Sequence, residues 1–288
     1  MQNLLKLLAI VLVPGVVLTI NPGQQFVATQ LAPSLIVCAI VVISGLCLQR
    51  SAGQAWAYTL LSLGVPVGLV VTNIGMIKVI ATLGGAEADS LRASTWMTQV
   101  MATSTTTLLT GGMISALGYS MDGETRGQRH MIVPYLGWTT PLAALIILVL
   151  VAVVFTPVKP RLLMDWSVIC IIGAVLFSFA ILRKSKTMLV RLTEAALYGS
   201  IIIVGIGVTW WFRGTNLQSG QIDVQSLLFA YRGLFLGGLI YLSAYLVSYS
   251  RPPDAEFDVG RMNWHLLEIN AFMFFLALAP VSLSEIIR

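Results

Sequence analysis

Several polar side chains that could pass an ion from one to the next recur along a single apolar segment. Gln99, Thr103, Thr106, Thr107 and Thr110 follow one another at helical spacing, so they share one side of a helix. Polar side chains at bilayer depth normally turn toward a bundle interior or a wet path rather than toward lipid. Threonine hydroxyls also bond the carbonyl one turn back and ease helix packing. The line therefore predicts either an ion path or plain packing.

Two basic residues, Arg232 and Lys78, lie further inside apolar segments than the others. A buried arginine costs about 2.5 kcal/mol or more unless it is paired or hydrated, so Arg232 should have an acidic or carbonyl partner. Glu194, Asp165 and Glu268 are the candidates within the chain. Alternatively, Arg232 pairs with a carboxylate of another subunit or gates cations by its charge. We expect Lys78 to extend its amine to the outer membrane boundary.

The remaining reactive residues do not form a pattern typical of a metal site, a cofactor site or an enzyme active site, so none of these is expected. Cys38, Cys47 and Cys170 all fall in apolar segments, and their spacing suits neither a disulfide framework nor a metal. His265 and Glu268 lie three residues apart on one helix face, but a single such pair is more typical of an interfacial anchor. Phosphate loops, nucleophile elbows and zinc-protease signatures do not occur.

The elements that carry these residues are membrane helices. With 57% hydrophobic residues, 10% charged residues and a mean hydropathy of +0.87 over 288 residues, the chain lacks the charged surface of a soluble protein. We predict an all-α polytopic membrane protein in contact with the lipid bilayer. About nine apolar runs are long enough to span a bilayer, at 5–20, 33–49, 58–83, 96–119, 134–156, 163–182, 193–212, 225–249 and 264–283.

The basic residues predict the orientation of these spans. With a cytoplasmic amino terminus, ten loop or terminal Lys and Arg residues lie on the cytoplasmic side and five on the other. The basic cluster 183–186 contributes most to this bias. Because basic residues resist translocation, this topology is favoured and the carboxyl terminus lies outside. The net charge of +5 thus reports membrane topology, and no nucleic-acid partner is expected.

Small residues predict where helices approach one another closely. Segment 60–121 predicts a membrane-embedded helical hairpin. Gly68 and Gly75 lie two turns apart on one face of its first helix, and Gly233 and Gly237 form a G-x-x-x-G pattern in a later span. The predicted packing residues are Pro66, Gly68, Gly75, Gly111, Gly112, Gly233 and Gly237.

An internal repeat is visible in the order of the segments. Residues 33–51 parallel 165–185, with Cys38 over Cys170, and the hairpin from Leu60 parallels 194–250. The pair Gly111-Gly112 then falls over Gly237-Gly238. We therefore predict two tandem four-helix units, at 1–125 and 126–255, followed by one extra helix at 256–288.

These features together resemble the MotA/TolQ/ExbB family of ion-conducting stator subunits. The resemblance rests on a short first span, P-S-L-I-V from Pro33, the G-x6-G spacing, I-G-M-I-K at 74–78, and threonines before a glycine pair. It covers most of residues 1–121 and, more faintly, 133–250. It implies a multi-pass protein of the bacterial inner membrane, in which homo-oligomers surround a single-span MotB/ExbD-like partner. The corresponding residues would be Pro66, Thr72, Thr106, Thr107 or Thr110.

The chain also departs from that family. Only 49–57 stands where MotA has a large cytoplasmic domain, and the second unit has Tyr231-Arg232-Gly233 in place of the threonines. No Asp or Glu lies at the centre of any predicted span, so an ion-binding acid would have to come from another polypeptide. The expected function is that of a proton- or sodium-driven subunit. A secondary transporter and a non-conducting scaffold are the alternatives.

Overall fold

The computed structural model describes residues 33–46, 56–83, 106–118, 163, 165–182, 188–214, 223–248, 265 and 268–273. These residues belong to two compact units. The first holds the described residues 33–46, 56–71, 106–118 and 242–248, and the second holds the others. The division falls inside two helices, so each of these helices contributes to both units. The predicted boundaries at 125 and 255 lie outside the described residues.

The described part of the chain is almost entirely helical and contains no strand, as predicted. Its helices are α1 (Pro33–Leu46), α2 (Trp56–Leu83), α3 (106–118), α4 (Trp166–Leu182), α5 (Met188–Gly214), α6 (Val224–Ser248) and α7 (268–273). Each lies within, or a few residues beyond, a predicted span. The predicted spans at 5–20 and 134–156 lie outside the described residues, so the total of nine stays a prediction.

Three of these helices are long and apolar enough to cross a membrane: Thr59–Ala81 in α2, Arg191–Gly214 in α5 and Val224–Ser243 in α6. The helices α1 and α4 are shorter apolar helices. Large apolar side chains are exposed on several helices, including Leu109 (53%), Phe177 (69%) and Phe212 (67%). Such exposure suits contact with acyl chains, as expected of a membrane protein.

In the first unit, α2 and α3 meet backbone to backbone. A Cβ added to Gly111 would lie 2.5 Å from the carbonyl oxygen of Gly64 and 2.9 Å from the Cα of Gly68. Two turns further along α3, a Cβ on Gly118 would meet the backbone of Ala57. Positions therefore descend along α3 as they ascend along α2, and the pair is antiparallel. Only glycine lets two helix backbones come this close.

The Ser115 hydroxyl of α3 bonds main-chain groups of α2 across this short distance. Its hydroxyl accepts a hydrogen bond from the Val65 amide at 3.0 Å and donates to the Leu61 carbonyl at 3.0 Å. In a regular helix these two groups of α2 bond each other, so the serine bridges one link of the helical ladder. The next residue, Pro66, is buried and contributes no amide hydrogen to that ladder. Both features mark this turn of α2 as locally irregular in its hydrogen bonding.

In the second unit, α4, α5 and α6 pack around a shared apolar cluster. Val168 and Ile172 of α4, Ile203 of α5 and Phe229 of α6 are 0–6% exposed at its centre. A Cβ on Gly199 would lie 3.4 Å from the Ile172 side chain, which is ordinary van der Waals contact between α4 and α5. The cluster holds the three helices together by dispersion contacts.

The helices α5 and α6 form a second antiparallel pair with close backbones. A Cβ on Gly207 would lie 2.9 Å from the carbonyl oxygen of Ser226, and one on Gly237 would lie 2.9 Å from that of Ala196. Between these points, the hydroxyl of Ser200 lies 3.3 Å from the Gly233 carbonyl oxygen and donates to it. Small residues again allow the approach, and a serine hydroxyl again crosses between the helices.

The two neighbouring glycines of α3 offer a matched test of this packing. Gly111→Ala places a methyl group 2.5 Å from a backbone oxygen, whereas Gly112→Ala meets nothing within 4 Å. We expect Gly111→Ala to lower the melting temperature of the purified protein in detergent by several degrees, because the helices must separate. Gly112→Ala should leave it unchanged or raise it slightly, since alanine favours helix. Equal melting temperatures for the two variants would contradict the close approach at Gly111.

Candidate functional site

The threonines of α3 face the protein interior rather than lipid. Thr106, Thr107 and Thr110 are 4%, 0% and 0% exposed, whereas Leu109, about 100° around the helix from Thr110, is 53% exposed. This helix therefore has one polar, sheltered side and one apolar, exposed side. The other two members of the predicted line, Gln99 and Thr103, lie outside the described residues.

The sheltered hydroxyls are engaged in hydrogen bonds. Thr110 donates to the Thr106 carbonyl at 2.7 Å, and its oxygen lies 3.2 Å from the Ser34 hydroxyl, whose proton it can accept. Ser34 stands at the start of α1 and is fully buried, so the contact ties α1 to α3. A hydroxyl can make one donated and two accepted bonds, so Thr110 retains some capacity for a further partner.

The other predicted residues are distributed over both units. Thr72 is 6% exposed in α2 and belongs to the second unit, whereas Thr110 belongs to the first. Gly75 is buried in α2, and the Lys78 side chain is exposed near the end of the same helix. A Cβ on Gly233 would meet the Ile203 side chain of α5.

Arg232 has a carboxylate partner inside its own unit. Its Nη1 lies 3.0 Å from Oδ2 of Asp165, and the two side chains are 12% and 29% exposed. Asp165 was one of three carboxylates predicted for this role, and this prediction is confirmed. The pair neutralises a cation that lies eight residues beyond Val224, the first residue of α6, or about 12 Å along the helix.

The Asp165 carboxylate makes a second contact at the same time. Its Oδ1 accepts a hydrogen bond from the Ser167 amide at 2.9 Å, so the residue caps the amino end of α4 while Oδ2 binds Arg232. A similar cap stands before α6, where Oδ1 of Asp223 accepts from the amides of Gln225 and Ser226. The ion pair therefore places the start of α4 beside the amino-terminal third of α6. The two helices enter the second unit from the same side.

The predicted interfacial pair of His265 and Glu268 is also formed. The His265 Nδ1 lies 3.2 Å from a Glu268 carboxylate oxygen, and both side chains are about half exposed. Within the ranges that the structure describes, no group of three or more His, Cys, Asp or Glu side chains could hold a metal ion. Cys38 is buried and Cys170 is exposed, and Cys47 lies outside those ranges.

Several residues that form these contacts were not predicted from the sequence. Gly64 completes a G-x-x-x-G pattern with Gly68, and this spacing could have been read directly from the sequence. Ser115 gives no such signal, because a serine in an apolar helix is common and only the neighbouring helix reveals its partners. Asn73 is 1% exposed in α2 and was also not predicted, although a polar side chain within an apolar span is itself a signal.

The Arg232–Asp165 pair can be tested by removing its charges one at a time. Asp165→Asn keeps an oxygen for the helix cap but leaves the arginine without a counter-charge. Because the pair is partly buried, the cost should be below the about 3–5 kcal/mol of a fully buried pair. We expect Asp165→Asn and Arg232→Gln each to lower the melting temperature in detergent. The double variant should lose less than the two single losses added together, because neither charge is then left alone. Strict additivity of the two effects would refute the pairing.

Comparison with known proteins identifies no relative from which a function could be transferred to this chain. No protein-family model, no curated protein and no solved structure matches this chain. The sheltered hydroxyls, the ion pair and the helix packing are therefore the features that bear on function.

Proposed function

We propose that this chain is an integral membrane subunit of an ion-driven, energy-transducing complex of the MotA/TolQ/ExbB type. It would lie in the bacterial inner membrane with a cytoplasmic amino terminus, and several copies would surround a single-span MotB/ExbD-like partner. Protons or sodium ions would pass along hydroxyl groups of this chain to and from a carboxylate of the partner.

One observation carries this proposal. The side chains of Thr106, Thr107 and Thr110 are almost fully sheltered on a helix that exposes Leu109. In hydrocarbon, each hydroxyl must find its hydrogen bonds inside the protein or with enclosed water. A buried line of hydroxyls in a short helix is the arrangement that a stepwise ion path requires, and helices α1 and α2 supply its walls in the first unit.

The positions of the acidic residues explain why the proposal includes a second polypeptide that carries a membrane carboxylate. Asp165 and Asp223 cap helices, and Glu268 is more than half exposed beside His265. The sequences of α1, α2, α3, α4 and α6 contain no Asp or Glu, and Glu194 lies only six residues from the amino end of α5. An ion that is bound and released at mid-membrane needs a charged ligand, which in this proposal a second polypeptide supplies.

The packing of the helix pairs supports the tandem repeat. The positions of α2 that approach α3 are spaced by four, three and four residues, and so are the positions of α5 that approach α6. They are Ala57, Leu61, Gly64 and Gly68 in α2, and Ala196, Ser200, Ile203 and Gly207 in α5. Two copies of one helical hairpin would have this common spacing.

The contacts favour another alignment of the two repeats. It differs from the alignment in which Gly111-Gly112 falls over Gly237-Gly238. Gly118 packs on the carbonyl of Ala57, as Gly237 packs on that of Ala196. In the proposed repeat Gly237 would then correspond to Gly118 rather than to Gly111, a shift of seven residues or two helical turns. The shift keeps the same helix face inward, which is why the sequence alignment could not distinguish the two registers.

The conduction role of the threonines is tested with isosteric substitutions. The double variant Thr106→Val and Thr107→Val removes two sheltered hydroxyls, and Thr209→Val removes an exposed one that bonds the Gly205 carbonyl. A hydroxyl that ligates an ion in transit contributes about 1–2 kcal/mol, so we expect proton or sodium flux in native membrane vesicles to fall about tenfold or more. Thr209→Val should leave the flux unchanged. Unaltered flux in the double variant would overturn the role of the threonines.

The partner is tested by isolating the protein from native membranes in a mild detergent and identifying what accompanies it. We expect several copies of this chain with a single-span polypeptide that carries a membrane aspartate or glutamate. A monomer that binds a small molecule would indicate the secondary transporter instead. A sealed assembly without ion flux would indicate the scaffold.

A further inference from the structure

An open groove lies between α5 and α7, within the second unit. Its volume is about 420 Å³, which is in the range of sites that bind small molecules and lipids. Ile201, Gly205 and Val208 are among the residues of α5 that line it. On α7 its wall begins at Glu268 and continues with two apolar side chains, Ile269 and Phe272. All lining residues belong to the same unit, so the groove does not depend on how the two units are arranged.

The α7 wall of the groove is fixed to the rest of its unit. The Tyr231 hydroxyl of α6 donates a hydrogen bond to the Met273 carbonyl at 3.1 Å. Asn270 and Met273 are buried, so they define the inner side of α7. Glu268 and Phe272 lie on the outer side, and the side chain of each is 53% exposed. The groove therefore has a rigid wall with a charge at one end and an aromatic ring at the other.

Gly205 leaves the groove empty of protein side chains on the α5 side. A Cβ on Gly205 would meet nothing within 4 Å, whereas one on Gly207 would lie 2.9 Å from the Ser226 carbonyl oxygen. Gly207 is thus required for helix packing, and Gly205 is not. The missing side chain of Gly205 instead leaves room on the outer surface of α5, next to Ile201, which is 41% exposed.

The surroundings of the groove indicate that its occupant has an apolar chain. Ile202 and Phe212, on the same helix, are 45% and 67% exposed, as suits side chains that face acyl chains. From Ile201 to Val208 the α5 wall runs for about 10 Å, or about a third of the hydrocarbon thickness. A single lipid chain that lies along this wall would cover it.

Glu268 selects the polar group at the end of that chain. One carboxylate oxygen, Oε2, lies 3.2 Å from Nδ1 of His265, and among the described residues it is the carboxylate's one hydrogen-bond contact. An ionised carboxylate only accepts hydrogen bonds. No basic residue is among the described residues that line the groove, so an anionic head group would be repelled. A primary ammonium carries three N–H donors, whereas a quaternary ammonium carries none.

We propose that the groove between α5 and α7 binds a phospholipid with a primary-ammonium head group. One acyl chain lies along α5 beside Gly205, and the ammonium donates hydrogen bonds to the Glu268 carboxylate. This site is independent of the proposed ion conduction, because it uses neither the threonines of α3 nor a partner polypeptide.

The head-group preference is tested with two lipids that differ in their N–H donors. The full chain is placed in bilayer discs with equal amounts of dioleoyl phosphatidylethanolamine and dioleoyl phosphatidylcholine, and retained lipids are counted by native mass spectrometry. We expect about threefold more of the ethanolamine lipid, the size typical of an ion pair at a half-exposed site. Glu268→Gln keeps the side-chain shape and should abolish this preference. Equal retention by the unaltered chain, or a preference for phosphatidylglycerol in a third arm, would overturn the proposal.

The position of the chain is tested by filling the groove. Gly205→Leu places a side chain in it, and Gly173→Leu is the matched control, because a Cβ at either glycine meets nothing within 4 Å. Both variants should keep or slightly raise the melting temperature, since leucine favours helix more than glycine does. We expect Gly205→Leu to retain one phospholipid fewer and Gly173→Leu to retain as many as the unaltered chain. The proposal is wrong if Gly205→Leu retains the same lipids, or if a quinone or a polypeptide is displaced instead.

Discussion

Backbone contact between helices is the interaction on which the described structure depends. Lipid tails are as apolar as leucine, so membrane helices gain nothing from hiding leucine from lipid and must associate through close packing and hydrogen bonds. Gly64, Gly68 and Gly111 provide this in the first unit, and Gly207 and Gly237 in the second. With the backbones this near, serine hydroxyls reach across to main-chain groups of the facing helix.

The rotation of α3 follows from that contact. Once Gly111 is placed against α2, the helix must present Leu109 outward and Thr110 inward, because these residues lie on fixed sides relative to the glycine. The sheltered threonine line is therefore a consequence of glycine packing as much as of its own hydrogen bonds. A loss of packing would expose the hydroxyls as well as lower the stability.

The sequence predicts the helices well and their contacts less completely. Apolar runs bounded by polar residues place α2 and α6 to within two residues, because transfer from water to lipid depends on composition and length. Which of Gly111 and Gly112 packs depends on helix rotation, and the partner of Arg232 depends on where α4 begins. Both are tertiary properties, so the sequence could at best name candidates, of which Asp165 was one.

The hydrogen bonds of Thr110 link helix packing to the proposed conduction. Thr110 bonds both α1 and its own helix, so an ion that used it would have to displace existing partners. A path needs groups that bind weakly enough to release the ion and are open enough to accept it. By this criterion the Thr110 hydroxyl would have to exchange its bond to Ser34 for a bond to the ion, so passage of an ion would loosen the contact between α1 and α3.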